Sequence, residues 1–426
     1  MRTLSSQLKE TVGKNVIVAG WVHDKRDLGG IKFLILRDRD GFLQITAPKK
    51  KVSEKIFEIF NEIGLEYVIQ VKGIAVESRQ LASGVEVIPE RIDILCSAES
   101  PLPLDPTEKV PADFETRFNH RTIDLRIPKN RAIFKIQECL VEGFREFLFS
   151  NHFTEIHTPK IVATGTEGGT ELFPVQYFEK KAFLAQSPQF YKQMLVGAGF
   201  ERVFEVGFVY RAEEHNTVRH INEYLSLDVE YAFIESDEDL RKLENEMFLF
   251  IYEKLGQERR EELSLLGCEC PVVPHSIPAL TFSEALEIVG SHEKDISPED
   301  ERNLSEYARE KHGSEFLFLT HYPPEKRPMY AMPDGQFTKT FDLLFRGTEV
   351  TTGGQRMHEY QMLKNSIASR GLNPDDFSFY LEVFKYGMPP HGGFAIGAER
   401  LTVQTLNLKN IREASFFPRD RTRLTP

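Results

Sequence analysis

Seven ionisable side chains fall within one short stretch of this sequence, residues 211–223. Two runs rich in β-branched and aromatic residues, 203–210 and 224–231, flank it and predict strands joined by a loop too long for a tight hairpin turn. Such a loop is either a solvated hairpin tip or the binding site of a charged ligand. Carboxylates on the strands themselves favour the ligand site. The ionisable residues of the loop and strands are Arg211, Glu213, Glu214, His215, Arg219, His220 and Glu223, with Glu205, Asp228 and Glu230.

Charged side chains also lie at two later predicted strand ends. Residues 349–356 carry a glutamate, two threonines and an arginine around a pair of glycines, and the glycine-rich run 388–398 leads into a helix that begins near Glu399 and Arg400. Arginine binds phosphate and carboxylate groups in a bidentate manner, and carboxylates bind Mg²⁺ or an ammonium group. Glycines allow close backbone approach, and a helix N-terminus favours an anion. This inventory suits a nucleoside triphosphate, Mg²⁺ and an amino acid.

The elements that must position these groups begin near residue 129. Residues 130–150 have apolar side chains at helical spacing, and residues 153–162 predict a strand that Pro159 restricts to a sheet edge or bulge, a common place for a subunit contact. The highly charged segment 237–313 predicts a solvated helical insertion. We assign residues 129–426 to this large domain.

Two further segments complete the predicted large domain. Residues 164–175, rich in glycine and threonine, are either a loop that closes over a ligand or a plain surface loop. Residues 181–196 predict a strand that turns into a helix at Ser187-Pro188, with Gln189 and Lys192 on one helical face. The sequence contains neither GxxxxGK[ST] nor GxGxxG after a first strand, so the common parallel-sheet nucleotide folds are unsupported. We therefore predict an α+β domain, an antiparallel sheet flanked by helices.

The first hundred residues predict a separate, all-β domain. Their order of strand, strand, strand, helix, strand, strand is typical of an oligonucleotide-binding (OB-fold) barrel, which we assign to residues 1–103. Arg26, Phe33 and Gln44 lie on or beside its second and third strands, the face on which such barrels stack and hydrogen-bond bases. Considered one at a time, Phe33 is predicted to be a core residue, and Arg26 and Gln44 are predicted to lie on the solvated surface. The proline-rich residues 104–128 predict a linker.

Composition limits the remaining possibilities. The net charge of −12 argues against a general nucleic-acid coat, although the first hundred residues are close to neutral and leave room for a local basic face. No run of about 18 apolar residues occurs and the start has no apolar signal core, which predicts a cytoplasmic protein without a membrane span. The cysteines form neither a disulfide framework nor a complete zinc-ligand set. They are Cys96, Cys139, Cys268 and Cys270.

Three segments in order resemble the signature motifs of the class II aminoacyl-tRNA synthetases, and within that class the short, archaeal-type aspartyl-tRNA synthetases. The helix 130–150 with FTEIHTPKIV resembles motif 1, FVYRAEEHNTVRHINEYLSLDVE resembles motif 2, and GGFAIGAERL resembles motif 3. The terminal FPRDRTRLTP is also similar, and the resemblance runs from end to end. It implies a class II antiparallel sheet with an N-terminal anticodon-binding barrel, and the chain is too short for the long insertion of the bacterial-type enzymes.

The resemblance also implies which residues bind ATP. Arg211 would hold the α-phosphate, Arg400 would stack on adenine, and Glu349 would hold Mg²⁺; these three are the implied catalytic residues. Thr352, the second implied metal ligand, stands where the family is expected to have serine, so its contact with the metal is less secure. The implied ATP-binding set is Arg211, Ala212, Glu213, Arg219, His220, Ile221, Glu349, Gly397, Ala398, Glu399 and Arg400.

The same resemblance implies a pocket for L-aspartate. Glu167, Gln189 and Asp228 would contact the ammonium group, while Lys192 and Arg356 would hold the side-chain carboxylate. Two cations aimed at one small pocket favour a carboxylate over an amide, because an amide would leave buried charge unpaired. The complete implied set is Glu167, Gln189, Lys192, Arg211, Asp228, Thr352 and Arg356.

The implied partners are ATP, L-aspartate and tRNA(Asp), with tRNA(Asn) left open as a second acceptor. Arg26, Phe33 and Gln44 match the family's anticodon-reading positions, and the third base would face the region of His23 and residues 79–83. Motif 1 implies a homodimer. Two alternatives stay open: an asparaginyl-tRNA synthetase, and a non-catalytic, synthetase-like RNA-binding paralogue. Retention of the implied catalytic residues speaks against the second alternative.

Overall fold

A computed structural model describes residues 2–81, 83–166, 171–214, 217–291 and 295–426. The chain divides into two compact units, residues 1–127 and 128–426. Among the described residues, no helix combines the length and the apolar character that crossing a membrane requires. The cysteines are free thiols.

The first unit contains a closed five-stranded barrel in the order β1-β2-β3-β5-β4. Alternate residues along its strands point inward, and Val18, Leu34, Ile45, Val71 and Val87 are completely buried. One helix separates the third strand from the fourth, so the predicted OB-fold is confirmed. The elements are β1 (Asn15–Asp27), β2 (Ile31–Arg37), β3 (Phe42–Pro48), α1 (Glu54–Glu62), β4 (Val68–Glu77) and β5 (Val85–Cys96), preceded by a 3₁₀ turn at Ser5–Thr11.

The segment that the sequence predicts to be a linker belongs to the first unit by its contacts. Buried Glu66 accepts hydrogen bonds from Arg37 at 3.0 and 2.7 Å and from Arg126 at 2.7 Å. Lys109 also pairs with Asp24 at 3.2 Å. Two short helices form here, α2 (Phe114–Asn119) and α3 (Arg121–Asp124). Proline content predicted a connector, but a sequence pattern does not reveal that distant charges will fix it to the barrel.

The second unit is built on an eight-stranded sheet in the order β12-β13-β16-β17-β18-β11-β10-β6. Its six inner strands are antiparallel, and only the outermost strands, β12 and β6, run parallel to their neighbours. The predicted antiparallel α+β architecture is therefore confirmed. These strands are β6 (Thr154–Glu155), β10 (Arg202–Tyr210), β11 (Glu223–Ala232), β12 (Ala279–Thr281), β13 (Phe316–Thr320), β16 (Thr340–Phe345), β17 (Thr348–Arg356) and β18 (His391–Gly397).

Smaller sheets and helices surround the large sheet. Helix α4 (Pro128–Ser150) leads into β6, and Pro159 lies between β6 and the short strand β7, as expected for an edge. The small sheets are β7 (Ile161–Val162), β9 (Lys180–Leu184) and β8 (Pro174–Tyr177), and β14 (Pro333–Asp334) with β15 (Phe337–Thr338). The other helices are α5 (Gln189–Leu195), α6 (Asp237–Glu258), α7 (Arg260–Leu266), α8 (Phe282–Val289), α9 (Pro298–His312), α10 (Tyr360–Ser369), α11 (Ser378–Lys385) and α12 (Ala398–Leu406).

The segment 237–313 is helical, but it is not simply a solvated insertion. Leu240, Met247, Phe248 and Ile251 of α6 are completely buried, and residues 279–281 add strand β12 to the large sheet. Most of the charged residues that suggested a solvated segment lie on the outer faces of these helices, but Asp237 and Glu244 of α6 are buried. An amphipathic helix with this composition packs by its apolar stripe.

Candidate active site

Strand β18 provides a floor of small side chains in the middle of the sheet. Antiparallel register places Gly393 beside Glu230 and Ala395 beside Asp228, while Phe394 and Ile396 point to the opposite, helix-covered face. A Cβ atom at Gly393 would overlap the Val229 carbonyl oxygen and the Glu230 carboxylate. The alternation of glycine or alanine with large apolar residues therefore leaves one face of β18 open for ligands and the other packed.

One pocket on this open face collects most of the residues predicted to bind ATP. It opens between the ends of β10, β11, β17 and β18 and the start of α12. Sequence reasoning did not include Tyr224 and Ser226, which also line it; their place on β11, at alternate positions beside Asp228, is the signal that could have found them. The predicted residues in the lining are Arg211, Glu213, Arg219, His220, Ile221, Glu349, Thr352, Gly397, Glu399 and Arg400.

Ala212 and Ala398 are not part of the lining. The backbone N–H of Ala212 donates to the carbonyl of Glu171 at 2.8 Å, and Ala398 is buried in the first turn of α12. A buried alanine side chain has nothing to offer a phosphate or a base except space. Their predicted contact with ATP would have to come from the backbone.

Arg211 directly follows β10 and is the first residue of the connection to β11, residues 211–222, which we call the motif 2 loop. Its backbone N–H donates to Asn222 at 2.9 Å, which keeps the two strands paired beyond Tyr210. Its guanidinium lies 5.9 Å from the ring centre of Tyr224. A cation over an aromatic face at the mouth of a pocket is well placed to bind an anionic group.

Glu349 and Thr352 are brought to the same side of β17 by an irregularity in its pairing with β16. Leu343 pairs with Thr351 and Leu344 with Glu349, so Val350 is an extra residue, a β-bulge. In a regular strand, residues three apart would point to opposite faces. Because of the bulge, the Thr352 hydroxyl donates to Glu349 Oε1 at 2.8 Å.

Arg400 completes this corner of the pocket. Its Nη1 donates to the carbonyl oxygen of Glu349 at 3.3 Å and lies 3.8 Å from Oε1. The Glu349 side chain keeps 36% of its surface open to the pocket. Burial by the surrounding protein and the charge of Asp342 raise the pKa of Glu349 above its usual value, against the opposing charge of Arg400. The ionised form of Glu349 would therefore gain from an additional cation in the pocket.

This oxygen-rich corner fits a magnesium ion. The carboxylate of Glu349 and the hydroxyl of Thr352 are hard oxygen ligands, but nowhere in the described chain, this corner included, are three or more His, Cys, Asp or Glu side chains arranged for a metal. Mg²⁺ in nucleotide sites commonly uses one or two protein ligands together with phosphate oxygens. The donor set is thus incomplete on its own and complementary to a bound triphosphate.

Two residues of the motif 2 loop have defined partners. His220 accepts or donates a 2.7 Å hydrogen bond with the Thr217 hydroxyl, and burial together with the charges of Arg400, Arg219 and Arg211 lowers its pKa to about 4. It is neutral at physiological pH. Arg219 forms an ion pair with Glu301 in the first turn of α9.

Glu399 has a structural contact as well as a place in the pocket. Its carboxylate accepts from the backbone N–H of Leu225 at 3.2 and 3.1 Å, which joins α12 to β11. Burial raises the pKa of Glu399 to about 8, although these backbone hydrogen bonds oppose the shift. The helix that carries Arg400 is therefore anchored to the strand that carries Asp228.

A second, fully enclosed cluster lies further along the same sheet face. Lys192 of α5 is completely buried, with its Nζ 2.8 Å from Asp228 Oδ1 and 3.6 Å from Glu230 Oε2. Arg356 Nε donates to Glu230 Oε1 at 3.2 Å, and Gln189 Nε2 donates to Glu230 Oε2 at 3.1 Å. Three of the residues predicted to bind aspartate thus contact one carboxylate, Glu230, and a fourth, Asp228, pairs with Lys192.

Glu230 is the residue that sequence reasoning left out of the site. The sequence alone marks it only as a charge on a flanking strand, although it follows Asp228 at the same-face spacing of two. Burial works against its ionised form, but the charges of Arg356 and Lys192 outweigh burial and hold the pKa of Glu230 below its usual value. It is ionised at neutral pH and pairs with both cations, although Lys192 is hydrogen-bonded to Asp228.

Arg356 and Asp228 have further partners that fix their orientation. Arg356 Nη2 donates to the Gly393 carbonyl at 3.0 Å, and its guanidinium lies 5.3 Å from the ring centre of Tyr330. The Ser226 hydroxyl donates to Asp228 Oδ2 at 2.6 Å. The remaining residue predicted to contact aspartate, Glu167, lies outside the described residues.

The three residues predicted to read an anticodon lie on the outer face of the barrel. Arg26 on β1 is directly opposite Phe33 on β2, and Phe33 is opposite Thr46 on β3. Arg26 is largely exposed, and Gln44 Nε2 donates to Thr46 Oγ1 and Glu86 Oε2, both at 3.0 Å. Phe33 is half-buried rather than part of the barrel core.

Two family models match the chain. The family described as "tRNA synthetases class II (D, K and N)" matches residues 113–421, and the "OB-fold nucleic acid binding domain" matches residues 16–95. Among solved structures, the chain superposes on an asparaginyl-tRNA synthetase from Pyrococcus horikoshii complexed with asparaginyl-adenylate, with a TM-score of 0.93, 30% identity and 100% of both chains covered. The fold, the paired active-site clusters and these matches define a class II aminoacyl-tRNA synthetase.

Within this class, the full-length relatives identify the family. The chain is 48% identical over 432 residues to the "Aspartate--tRNA(Asp) ligase" of Pyrococcus abyssi, covering 99% of each chain. It is 47% identical to the "Aspartate--tRNA(Asp/Asn) ligase" of Archaeoglobus fulgidus, covering 100% of each. The chain belongs to the aspartate–tRNA ligase family, and the aspartyl rather than the asparaginyl interpretation of its sequence is supported.

Proposed function

We propose that the chain activates L-aspartate with ATP to form aspartyl-adenylate and then transfers the aspartyl group to the 3′ end of tRNA(Asp). The observation that carries the proposal is that Lys192 of α5 and Arg356 of β17 both contact Glu230, in a buried cluster beside strands that also line the predicted ATP pocket. Because the relatives include ligases for tRNA(Asp) and for both tRNA(Asp) and tRNA(Asn), tRNA(Asn) is the second acceptor to test.

Aspartate binding rests on an exchange of ionic partners. The substrate ammonium would take the place beside Asp228 that Lys192 Nζ now fills at 2.8 Å, and the substrate carboxylate would take Lys192 and Arg356 as partners. Gln189 would contact the ammonium from α5. Every buried charge keeps a partner in the complex. Asparagine would leave one cation without an anion in a site from which water is excluded, which is costly.

Activation then depends on positioning and electrostatics rather than on a protein nucleophile. The α-carboxylate of aspartate attacks the α-phosphorus of ATP, and pyrophosphate leaves. Arg211 offsets the charge that develops on the α-phosphate, while Arg400 holds the adenine. A magnesium ion at Glu349 and Thr352 would supply further neutralisation of the phosphate charge. The terminal adenosine hydroxyl of the tRNA then attacks the aspartyl carbonyl, and AMP leaves.

Pyrophosphate exchange tests the amino-acid step directly. The wild-type protein should incorporate labelled pyrophosphate into ATP with aspartate and far more slowly with asparagine. Arg211→Ala should abolish this exchange, since it removes the cation nearest the predicted α-phosphate site. A preference for asparagine, or near-wild-type exchange by Arg211→Ala, would contradict the proposal. Charging of purified tRNA(Asp) and tRNA(Asn) separates the two acceptors.

We also infer that the protein is a homodimer through the edge of the large sheet near β6 and Pro159. Helix α4 covers Phe204 on β10. Phe208, four residues later on the same face of the strand, is 49% exposed, and Phe149 at the end of α4 is 53% exposed. Large exposed apolar side chains at a sheet edge are typical of an interface. Sedimentation equilibrium should give twice the chain mass, and Phe208→Glu should shift the population toward monomer.

A further inference from the structure

Behind the predicted aspartate pocket, three buried side chains form a continuous hydrogen-bonded chain. The Tyr380 hydroxyl donates to Gln193 Oε1 at 2.8 Å, Gln193 Nε2 lies 2.8 Å from His391 Nε2, and His391 Nδ1 lies 2.9 Å from the Pro389 carbonyl oxygen. Tyr380, Gln193 and His391 are each completely buried. We refer to these three residues as the Tyr380 chain.

The direction of every hydrogen bond in the Tyr380 chain follows from the groups involved. A carbonyl oxygen such as that of Pro389 can only accept, so His391 carries its proton on Nδ1. His391 Nε2 must then accept, and the Gln193 amide nitrogen is the donor. This leaves Gln193 Oε1 to accept from the Tyr380 hydroxyl. The imidazole is neutral and fixed in one tautomer, and burial, its largest influence, lowers the pKa of His391 to about 4.

Each member of the Tyr380 chain lies next to a group that the proposed function uses. Gln193 follows Lys192 in α5 and lies one turn from Gln189. His391 is directly opposite Arg356 in the register of β17 and β18, on the face shared with Glu230 and Gly393. Tyr380 comes from α11, which packs against α5. The Tyr380 chain therefore links α5, which carries Lys192, to β18, the strand paired with the one that carries Arg356.

We propose that Gln193, His391 and Tyr380 are positioning residues that fix the separation between Lys192 and Arg356, and so set the affinity for the amino acid. The proposal rests on the proposed function, because it assigns these two cations to the substrate carboxylate. A displacement of about 1 Å in a binding group can cost on the order of 100-fold in activity. Neither Gln193 nor His391 touches the substrate in this arrangement; they act through Lys192, Arg356 and Glu230.

Tyr380→Phe is the first test, because it removes one hydroxyl and keeps the buried ring. The variant leaves Gln193 Oε1 without its donor, so we expect the KM for aspartate in pyrophosphate exchange to rise about tenfold. The KM for ATP and the kcat should stay within about twofold of the wild type, since loss of uniform binding appears in KM alone. Tyr386→Phe, at a tyrosine that is 74% exposed, is the matched control and should change neither constant.

Gln193→Met breaks the Tyr380 chain at a second place. A methionine has about the same volume but cannot donate to His391 Nε2 and offers Tyr380 no oxygen acceptor, so it should also raise the KM for aspartate about tenfold. If the residues act as one chain, the double variant with Tyr380→Phe should show much less than the product of the two single effects. Thermal unfolding of each variant checks that the protein is folded.

The outcomes separate this proposal from the proposed function. Absence of aspartate-dependent exchange in the wild-type protein would remove the proposed function itself. If the wild type is active, equal increases in the KM for aspartate and for ATP, unchanged constants in both single variants, or multiplicative effects in the double variant would each overturn the positioning role.

Discussion

Lys192, Arg356, Asp228 and Glu230 bring two positive and two negative charges into a site that is almost free of solvent; their exposed fractions are 0, 6, 1 and 0%. A buried ion pair contributes little net stability compared with apolar side chains of the same size, because desolvation offsets the attraction. These four charges are therefore better explained by recognition of a ligand than by a contribution to the stability of the fold. A ligand that carries both an ammonium and a carboxylate can enter by replacing partners without leaving any charge unpaired.

At the same scale, Glu230 makes the site sensitive to acid. Since its pKa in the folded protein is held below the ordinary value, its ion pairs stabilise the fold above the ordinary glutamate pKa. This stabilisation is lost as pH falls through the lowered value. Neutral conditions thus keep both cations aligned.

The pKa of Glu244 is shifted in the opposite direction, upward, and this shift predicts how the stability of the fold depends on pH. Its side chain is completely buried on α6, and among the described residues the Thr351 hydroxyl is the group that favours its ionised form. Burial raises its pKa from 4.5 to about 8, so it is protonated in the folded protein while ionised in the unfolded chain at neutral pH. This difference in protonation between the two states destabilises the fold by about 3 kcal/mol at pH 7. The destabilisation increases as pH rises from 4.5 to 8.

Glu244→Gln should therefore reduce the loss of stability that the wild-type protein shows between pH 5 and pH 8. Thermal unfolding across this range should show a smaller decline for the variant, although Glu399, whose pKa burial also raises to about 8, keeps its own contribution. Glu246→Gln, at an exposed position of the same helix, is the control. Parallel wild-type and Glu244→Gln curves would show that Glu244 is already ionised in the fold.

At the scale of elements, the middle of β18 depends on the absence of side chains. A methyl group at residue 393 would overlap the Val229 carbonyl and the Glu230 carboxylate, so Gly393→Ala must push β18 away from β11 or displace Glu230. We expect aspartate-dependent exchange to fall at least about 100-fold, because Glu230 pairs with both cations and is hydrogen-bonded to Arg356 and Gln189.

The control for this prediction is Gly30→Ala, where an added Cβ has no atom within 4 Å. It should leave the exchange rate unchanged. Near-normal exchange in Gly393→Ala would mean that β18 shifts to accept the methyl group without displacing Glu230. A circular dichroism spectrum distinguishes a displaced carboxylate from a failure to fold.

Much of this arrangement could be predicted from local sequence patterns. The alternation of small and large residues in β18, the loop after Arg211 and the barrel order of the first unit are all periodic or local signals. The bulge at Val350, which gives Glu349 and Thr352 a common face, depends on pairing with β16 and leaves no mark in the sequence of β17 alone. The contacts of Gln193 with His391 and Tyr380 span nearly 200 residues and follow only from the assembled sheet.

At the scale of the whole molecule, the predicted functions fall on two compact units. The residues predicted for ATP and aspartate lie in residues 128–426, and those predicted for an anticodon lie in residues 1–127. The first unit has its own closed core and its own buried charge cluster at Glu66. A change on the outer face of the barrel should therefore alter tRNA recognition without altering the activation of aspartate.

Phe33→Ala tests this separation. Phe33 lies half-buried on β2, opposite exposed Arg26, where an unpaired base can stack on its ring. Loss of one stacked base costs about 1–3 kcal/mol, so the KM for tRNA(Asp) should rise roughly 5- to 150-fold, while exchange with ATP and aspartate stays at the wild-type rate. Leu95→Ala, at an exposed apolar position of the same barrel, should change neither. If Phe33→Ala slows exchange as much as charging, the barrel face does not act through tRNA alone; if charging is unaffected, Phe33 does not read a base.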